Sequence, residues 1–234
     1  ILHVNLTNGS IFQERPDDAF YRKYLGGSAM GMYYILNGMS PGADPLGPDN
    51  ILTLMLSVLT GAPISGQSRL TANAKSPLVD GIGDSQSGGF FPAELKFAGY
   101  DGIVVKGQSE KPVYLWIKDG LAELRDATHL WGKSTGDVDN ILKSELCDKK
   151  IEVMQCGPAG EKLASLAAII IMAYRANGRT GLGAGVRRGK CRSLHGLDAA
   201  ALPRHRQRDD PGQRRCDRRP VSYTHLRAHE TEAD

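Results

Sequence analysis

The residues best suited to chemistry in this 234-residue chain sit in three glycine-rich runs. The first is Gly61-Ala62-Pro63-Ile64-Ser65-Gly66-Gln67-Ser68-Arg69, which follows an apolar stretch. The second is Gly83-Asp84-Ser85-Gln86-Ser87-Gly88-Gly89-Phe90-Phe91, and the third is Arg175-Ala176-Asn177-Gly178-Arg179-Thr180-Gly181-Leu182-Gly183. Each mixes glycine with Ser, Gln, Asn or Arg. Glycine lets backbone amides approach a ligand closely, and successive amides can cradle an anion. Arginine adds a planar fork that matches phosphate oxygens. Any one such run also reads as a tight turn in a turn-rich fold. Three together, two of them carrying arginine, point to a large, flat, polyanionic cofactor rather than to a small substrate.

Familiar alternatives fail on spacing. Gly132-Lys133-Ser134-Thr135 looks like the end of a P-loop, but the leading glycine position holds Ala127. A helix entry with Ser134 or Thr135 as N-cap fits those residues better. No GxGxxG follows an expected strand, and no Ser/His/Asp or Cys/His set stands out. His129 beside Trp131 reads as structural. Asp84 and Glu94 would make a carboxylate pair, yet Glu94 within Pro92-Ala93-Glu94-Leu95-Lys96 reads as a first-turn helix residue. The four cysteines, Cys147, Cys156, Cys191 and Cys216, show no CxxC spacing, so a metal or cluster site built from this chain alone is not expected. Cys147 and Cys156 flank an expected strand and read as reduced thiols, and a cytoplasmic compartment follows as the expectation.

The elements that must position these runs are legible in part. Ile1 to Glu14 alternates about Asn8-Gly9, a hairpin signal because both turn residues tolerate positive φ. Pro16-Asp17-Asp18 opens a helix, Gly26-Gly27 breaks it, and a second helical stretch runs from about Ala29 to Leu36. Ile51 to Thr60 reads as a buried strand, with further strands at Leu70 to Ala74 and Gly102 to Lys106. Pro112 to Asp126 is a hairpin centred on Asp119-Gly120. Ser134 to Leu146 is an amphipathic helix with Val138, Ile141, Leu142 and Leu146 on one face. Ile151 to Met154 reads as a strand, Gly157-Pro158-Ala159-Gly160 as a turn, and Ala164 to Ile171 as another strand. Strands outnumber helices in mixed order, which predicts an α+β fold. The longest apolar run, Leu163 to Tyr174, is interrupted by Ser165 and falls short of the roughly 18 residues a membrane span needs. Ile1 opens directly into the alternating pattern, so no signal peptide is expected, and the missing initiator Met leads us to expect an earlier native start.

Charge divides the chain. The net charge is +3 overall, yet residues 1–186 carry 17 basic and 19 acidic side chains, against 12 and 7 in residues 187–234. Residues 187–219 lose apolar periodicity and are crowded with arginine, proline and isolated histidines. Such a stretch buries too little apolar surface to offset the entropy of ordering it.

Several stretches occur in one order through residues 1–184. They are Tyr24-Leu25-Gly26-Gly27, Asp44-Pro45-Leu46, Lys75-Ser76-Pro77-Leu78, Ser87-Gly88-Gly89-Phe90-Phe91, Glu94-Leu95-Lys96-Phe97-Ala98-Gly99-Tyr100-Asp101, Glu110-Lys111-Pro112-Val113-Tyr114-Leu115, Trp131-Gly132-Lys133 and Gly157-Pro158-Ala159-Gly160-Glu161. In these the chain closely resembles the aldehyde:ferredoxin oxidoreductase family. The resemblance implies an N-terminal base of mixed β-sheets with short helices that carries two molybdopterins. Their dithiolenes hold one tungsten (or molybdenum), and Mg²⁺ joins their phosphates. It implies oxidation of an aldehyde to a carboxylic acid, with electrons passing through a [4Fe–4S] cluster to ferredoxin. Arg69, Gly88, Arg175, Gly178 and Arg179 match cofactor-binding positions. Ala176 matches a residue whose carbonyl ligates Mg²⁺, and Gln86 falls where some members have an Mg²⁺-binding Asn. Cluster cysteines and catalytic acid/base residues belong to later domains of the family. No catalytic residue is therefore assigned here, and the chain alone is expected to be inactive.

A homodimer is expected of the full-length protein, and no membrane association. Two other readings stand beside this one. The first is a subunit of a related tungsten enzyme, such as a benzoyl-CoA reductase relative. The second is a nonenzymatic nucleic-acid-binding module, if the arginine-rich tail acts through phosphate contacts. The resemblance stops at Gly185-Val186-Arg187-Arg188-Gly189-Lys190. The division expected is a cofactor-binding domain over 1–185, an out-of-frame disordered tail over 186–220, and a tail over 221–234. Within the last, Val221 to Thr231 reads like a translated sequencing adapter.

Overall fold

The computed structural model describes residues 1–186 and the backbone of residues 197–202. The first hairpin forms as its turn residues require. Strands β1 (Leu2–Asn5) and β2 (Ser10–Gln13) pair antiparallel, with Gly9 at φ 70° and Asn8 Oδ1 accepting from Ser10 N–H. Helix α1 (Asp18–Tyr24) starts at Asp17, whose carboxylate accepts from Phe20 N–H, and ends at Leu25 in the left-handed region. Helix α2 (Gly27–Gly38) then lies across strands β3 (Leu52–Leu56) and β4 (Arg69–Lys75). Two glycines permit that closeness. A Cβ on Gly26 would lie 2.2 Å from the Leu56 carbonyl oxygen, and one on Gly31 would lie 2.4 Å from Asn73 Oδ1. The expected strand Ile51 to Thr60 is shorter than predicted, because Ser57 to Thr60 turns away with Thr60 Oγ1 accepting from Ser57 N–H.

Strand β5 (Ile82–Gly88) corrects the sequence expectation most. The second glycine-rich run reads as a loop, yet most of it forms a seven-residue strand paired with β4 from Arg69↔Gly88 to Lys75↔Ile82. Its composition is poor in β-formers, but cross-strand pairing and burial of alternate residues override that preference. Helix α3 (Phe91–Phe97) follows, with Glu94 in its first turn as expected. Strand β6 (Gly102–Lys106) completes a sheet ordered β2-β1-β6-β3-β4-β5, in which only β1 and β6 run parallel.

Strands β7 (Val113–Lys118) and β8 (Leu121–Asp126) form the second hairpin, with Asp119 at φ 50° and Gly120 at φ 80°. Two consecutive positive φ values are what a two-residue turn with the strands' own twist demands. Helix α4 (Thr135–Glu145) is capped by Ser134, which accepts from Asp137 N–H. Strand β9 (Glu152–Cys156), the one-turn helix α5 (Pro158–Glu161), strands β10 (Ile169–Ile171) and β11 (Arg175–Asn177), and helix α6 (Leu182–Val186) follow. Ala164 to Ala168 does not join β10 as expected. That segment instead presses its carbonyls on two glycines, since a Cβ on Gly181 would lie 1.9 Å from the Ser165 oxygen and one on Gly183 2.4 Å from the Ala168 oxygen.

Six residues of the stretch expected to be disordered form a strand, β12 (Leu197–Leu202), parallel to β7 and antiparallel to β9. Leu-Asp-Ala-Ala-Ala-Leu carries a single charged side chain, and both neighbours would otherwise present unpaired edges. The second sheet is thus ordered β11-β10-β9-β12-β7-β8. The remaining tail, with Cys191, Cys216 and the adapter-like segment, lies outside the described residues.

The alternation along β3 and β4 divides the first sheet. Leu54, Leu70 and Ala72 face Leu115, Ile117, Met154 and Ile169 of the second sheet in one apolar cluster. Thr53, Thr71 and Asn73 face the α2 side. Val138 and Leu142 of α4 close a second cluster against Tyr114, Ile151 and Val153. The result is the expected α+β architecture. No helix among the described residues is long and apolar enough to cross a membrane.

Candidate cofactor site

The antiparallel register puts the start of β4 and the end of β5 together, so Arg69 stands opposite Gly88. Beside them the first residues of β11 come alongside. These three segments enclose an open cleft of about 600 Å³. Arg69, Gln86, Gly88, Arg175 and Ala176, all named from the sequence, line it together. Gly178 and Arg179 do not line it. Their neighbour Thr180 reaches Gly83 near the opposite end of β5, where a Cβ would lie 3.1 Å from Thr180 Oγ1. Gly83 and Gly88 are five residue steps apart along the strand, roughly 16 Å at the usual rise.

Local bonds keep the cleft open and its backbone exposed. Gln67 Oε1 accepts from Gly61 N–H at 2.7 Å and closes the first loop on itself. Ser68 Oγ donates to the Gly89 carbonyl at 2.5 Å, tying that loop to the end of β5. Gly89 has φ +119°, and a Cβ there would lie 2.7 Å from Met172 Sδ and 3.1 Å from Arg175 Cδ. Only glycine meets both demands. Ser68 and Gly89 were not singled out from the sequence. Their signal was contiguity with Arg69 and Gly88 inside the same runs.

The third run splits by function. Gly181 and Gly183 are packing glycines, pressed on carbonyls as described above, whereas Arg175 and Ala176 face the cleft. Arg175 stands 5.7 Å from the Tyr174 ring centroid, a cation–π distance. Arg179 and Thr180 are both left-handed, at φ 69° and 57°. The Thr180 carbonyl accepts from buried Ser76 Oγ at 2.6 Å, and the same hydroxyl accepts from Leu78 and Val79 N–H.

No carboxylate lines the cleft, and no described carboxylate pairs with Arg69, Arg175 or Arg179. Asp84, on the same face of β5 as Gln86, is occupied by Ser28 Oγ and by Asn73 Nδ2 at 2.9 Å. The cleft is therefore cationic, with exposed amides and neutral oxygens, which suits phosphate. Among the described residues no group of three or more His, Cys, Asp or Glu could hold a metal. Gln86 and the Ala176 carbonyl offer only neutral oxygens, so a Mg²⁺ there would take its negative charge from phosphate. The residues present fit a phosphate-bearing cofactor on those terms.

Residues away from the cleft account for other shared stretches. Asp101 binds Lys96 and accepts from Tyr21 O–H at 2.9 Å. Burial, and then that carboxylate, pushes the Tyr21 phenol well above its ordinary range. Both carboxylate oxygens of Glu161 accept from Gly132 N–H at 3.0 Å, joining the Trp131-Gly132-Lys133 segment to α5.

Residues 1–190 match the family model described as aldehyde ferredoxin oxidoreductase, N-terminal domain. The chain belongs to this family. The tungsten-containing aldehyde ferredoxin oxidoreductase of Thermococcus kodakarensis is 45% identical over 183 residues, covering 78% of this chain and 30% of that protein. Its counterpart in Pyrococcus furiosus is 44% identical with the same coverage. The aldehyde ferredoxin oxidoreductase domain described here is also similar to a solved structure, the active site complex BamBC of benzoyl coenzyme A reductase with 1,5-dienoyl-CoA. The TM-score is 0.81 at 34% identity, covering 86% of this chain and 30% of that one. The chain thus spans about a third of the length of these relatives.

Proposed function

We infer that this chain is the base on which a tungsten (or molybdenum) bis-molybdopterin rests, in an enzyme that oxidises an aldehyde to a carboxylic acid. One observation carries the reading: Arg69, Gln86, Gly88, Arg175 and Ala176, from three separate segments, converge on one cationic cleft without a carboxylate. The two guanidinium forks would grip phosphate, and the amides about Gly88 and Gly89 would complete its shell. Gln86 and Ala176 would present oxygens to a Mg²⁺ already bound to that phosphate. When bound, the metal and its dithiolenes supply the redox chemistry, while the protein supplies placement and hydrogen bonds. Gly178 and Arg179, along the β5 edge, would meet only a ligand long enough to run out of the cleft, as a paired pterin is.

The proposal extends to a [4Fe–4S] cluster held by residues outside this chain, ferredoxin as electron acceptor, a homodimer and a cytoplasmic setting. Cys147 is a free thiol, in keeping with a reducing compartment. The higher identity to aldehyde ferredoxin oxidoreductases favours aldehyde oxidation over the chemistry of the BamBC relative. The arginine-rich tail, on which a nucleic-acid reading would depend, lies almost wholly outside the described residues.

Calorimetric titration of the full chain with inorganic pyrophosphate tests the cleft. Binding should saturate and weaken with salt. Losing one charge-assisted fork should cost roughly 1.5–3 kcal/mol, about ten- to a hundredfold in affinity, in Arg69→Ala and in Arg175→Ala. Arg22→Ala, in an exposed turn of α1, should bind like the parent. Equal affinity in all four proteins would overturn the assignment.

A further inference from the structure

Five buried side-chain oxygens have no hydrogen-bond partner among the described residues: Asn73 Oδ1, Ser85 Oγ, Asp139 Oδ1, Asn177 Oδ1 and Thr180 Oγ1. Two of them are scattered. Asn73 Oδ1 abuts Gly31 under α2, and Asp139 sits on α4 with its other oxygen on Lys143. The remaining three fall on one seam, between the buried face of β5 and the segment running from β11 into α6. Gly83 and Ser85 share that face by the alternation of the strand. Asn177 Nδ2 donates to the Ser85 carbonyl at 3.5 Å, which sets its amide over Ser85. Thr180 comes alongside Gly83, where a Cβ would lie 3.1 Å from its hydroxyl oxygen. Alternate residues of a strand are about 6.6 Å apart. Thr180 Oγ1 and Ser85 Oγ therefore lie along the same stretch of that face, and neither is bonded to the other.

We propose that Ser85, Asn177 and Thr180 form a buried binding site for a single water molecule. The count of donors and acceptors selects water. Two hydroxyls each need an acceptor, and the amide oxygen needs a donor. A water oxygen accepts from both hydroxyls and one of its hydrogens goes to Asn177 Oδ1, making the three bonds usual for buried water. A cation would meet the three oxygens but leave both hydroxyl hydrogens without an acceptor. The position has a consequence for the cleft. Ser85 immediately precedes Gln86 and Asn177 immediately follows Ala176, so the water joins, from behind, the two segments that carry the cleft's neutral oxygens. Ser76 holds the Thr180 carbonyl independently, so the hydroxyl of Thr180 is the part the water holds. None of this depends on what the cleft binds.

The sign of a stability change tests the site in the full chain. An oxygen buried without a partner weighs against folding, so deleting it stabilises; one bonded to water contributes, so deleting it destabilises. Ser85→Ala and Thr180→Val, the latter keeping the branched shape at a strained φ, should each lower Tm by about 2–4 °C. The two together should lower it by less than the two separate losses combined, because both hydroxyls share one water. A raised Tm in either single variant, or strict additivity, overturns the proposal. Replacing KCl or NaCl by choline chloride at equal ionic strength should leave Tm unchanged. A rise specific to one cation that Asn177→Ala abolishes would mean a metal ion and would also overturn it. A high-resolution density map of the parent should show one ordered peak within hydrogen-bond reach of all three oxygens, and its absence counts against the site.

Discussion

Gly89→Ala should be a damaging single-methyl addition at the edge of the cleft, and its cost can be worked from the geometry. At φ +119° an L-residue is strained by roughly 1–3 kcal/mol wherever it stands. The new Cβ would also lie 2.7 Å from Met172 Sδ and 3.1 Å from Arg175 Cδ. Met172 is flexible and can withdraw, but its sulfur accepts from Phe90 N–H at 3.3 Å, and withdrawal breaks that contact. Overpacking of this kind adds about 1–3 kcal/mol, with the lower end apt for so mobile a side chain. The total is about 2–5 kcal/mol, a Tm loss on the order of 5–15 °C for a protein of this size. Gly99→Ala is the matched control, since Gly99 has φ +95° with nothing within 4 Å of its Cβ position. It should show the strain alone. Thermal denaturation of both variants, with pyrophosphate titration alongside, separates the parts. Gly89→Ala should also weaken the anion by displacing Arg175, while Gly99→Ala should not. If the two variants lose the same stability and bind alike, Gly89 does not abut Met172 and Arg175, and the placement of β11 against the end of β5 is wrong.

Other outcomes follow from the same contacts. His3 lies half-buried, stacked on Phe12 with ring centroids 4.5 Å apart, and desolvation lowers its pKa although Glu14 at 2.6 Å opposes the shift. Its contribution to stability is therefore present above the unfolded pKa of about 6.5 and is lost as pH falls through the lower folded value. Denaturation curves from pH 7.5 to 5 should show that decline, and a His3→Gln variant with an unchanged slope would refute it. Ser76→Ala removes the bond to the Thr180 carbonyl and two amide contacts, and should cost about 1–3 kcal/mol in urea unfolding. A cost within error would mean the loop is held otherwise. Leu142→Ala, fully buried in the α4 cluster, should cost about 2–5 kcal/mol, and a neutral result would place α4 off the sheet.

Much of the scaffold is written locally. The turns at Asn8-Gly9 and Asp119-Gly120, the caps at Asp17 and Ser134, and the strand Gly102–Lys106 follow from residues that constrain φ or satisfy nearby amides. Those preferences act over a few bonds and need no distant partner. Family resemblance named the cleft residues, and physical reading of the runs named their affinity for anions. Neither could say that Arg69 faces Gly88 or that Arg175 and Ala176 join them while Gly178 and Arg179 do not.

Those facts wait on pairing. Ile-Gly-Asp-Ser-Gln-Ser-Gly has little preference for a strand by itself, and β4 alone makes it one. The same holds for β12, which exists because two strand edges need a partner. Gly181 and Gly183 look like ligand-cradling glycines in the sequence, but the carbonyls of Ser165 and Ala168 occupy that space once the chain folds. Local chemistry thus set the turns, the caps and the list of anion-binding residue types. The tertiary structure decided which of them share a surface, because convergence depends on hydrogen-bond register and close backbone approach between segments far apart in the chain.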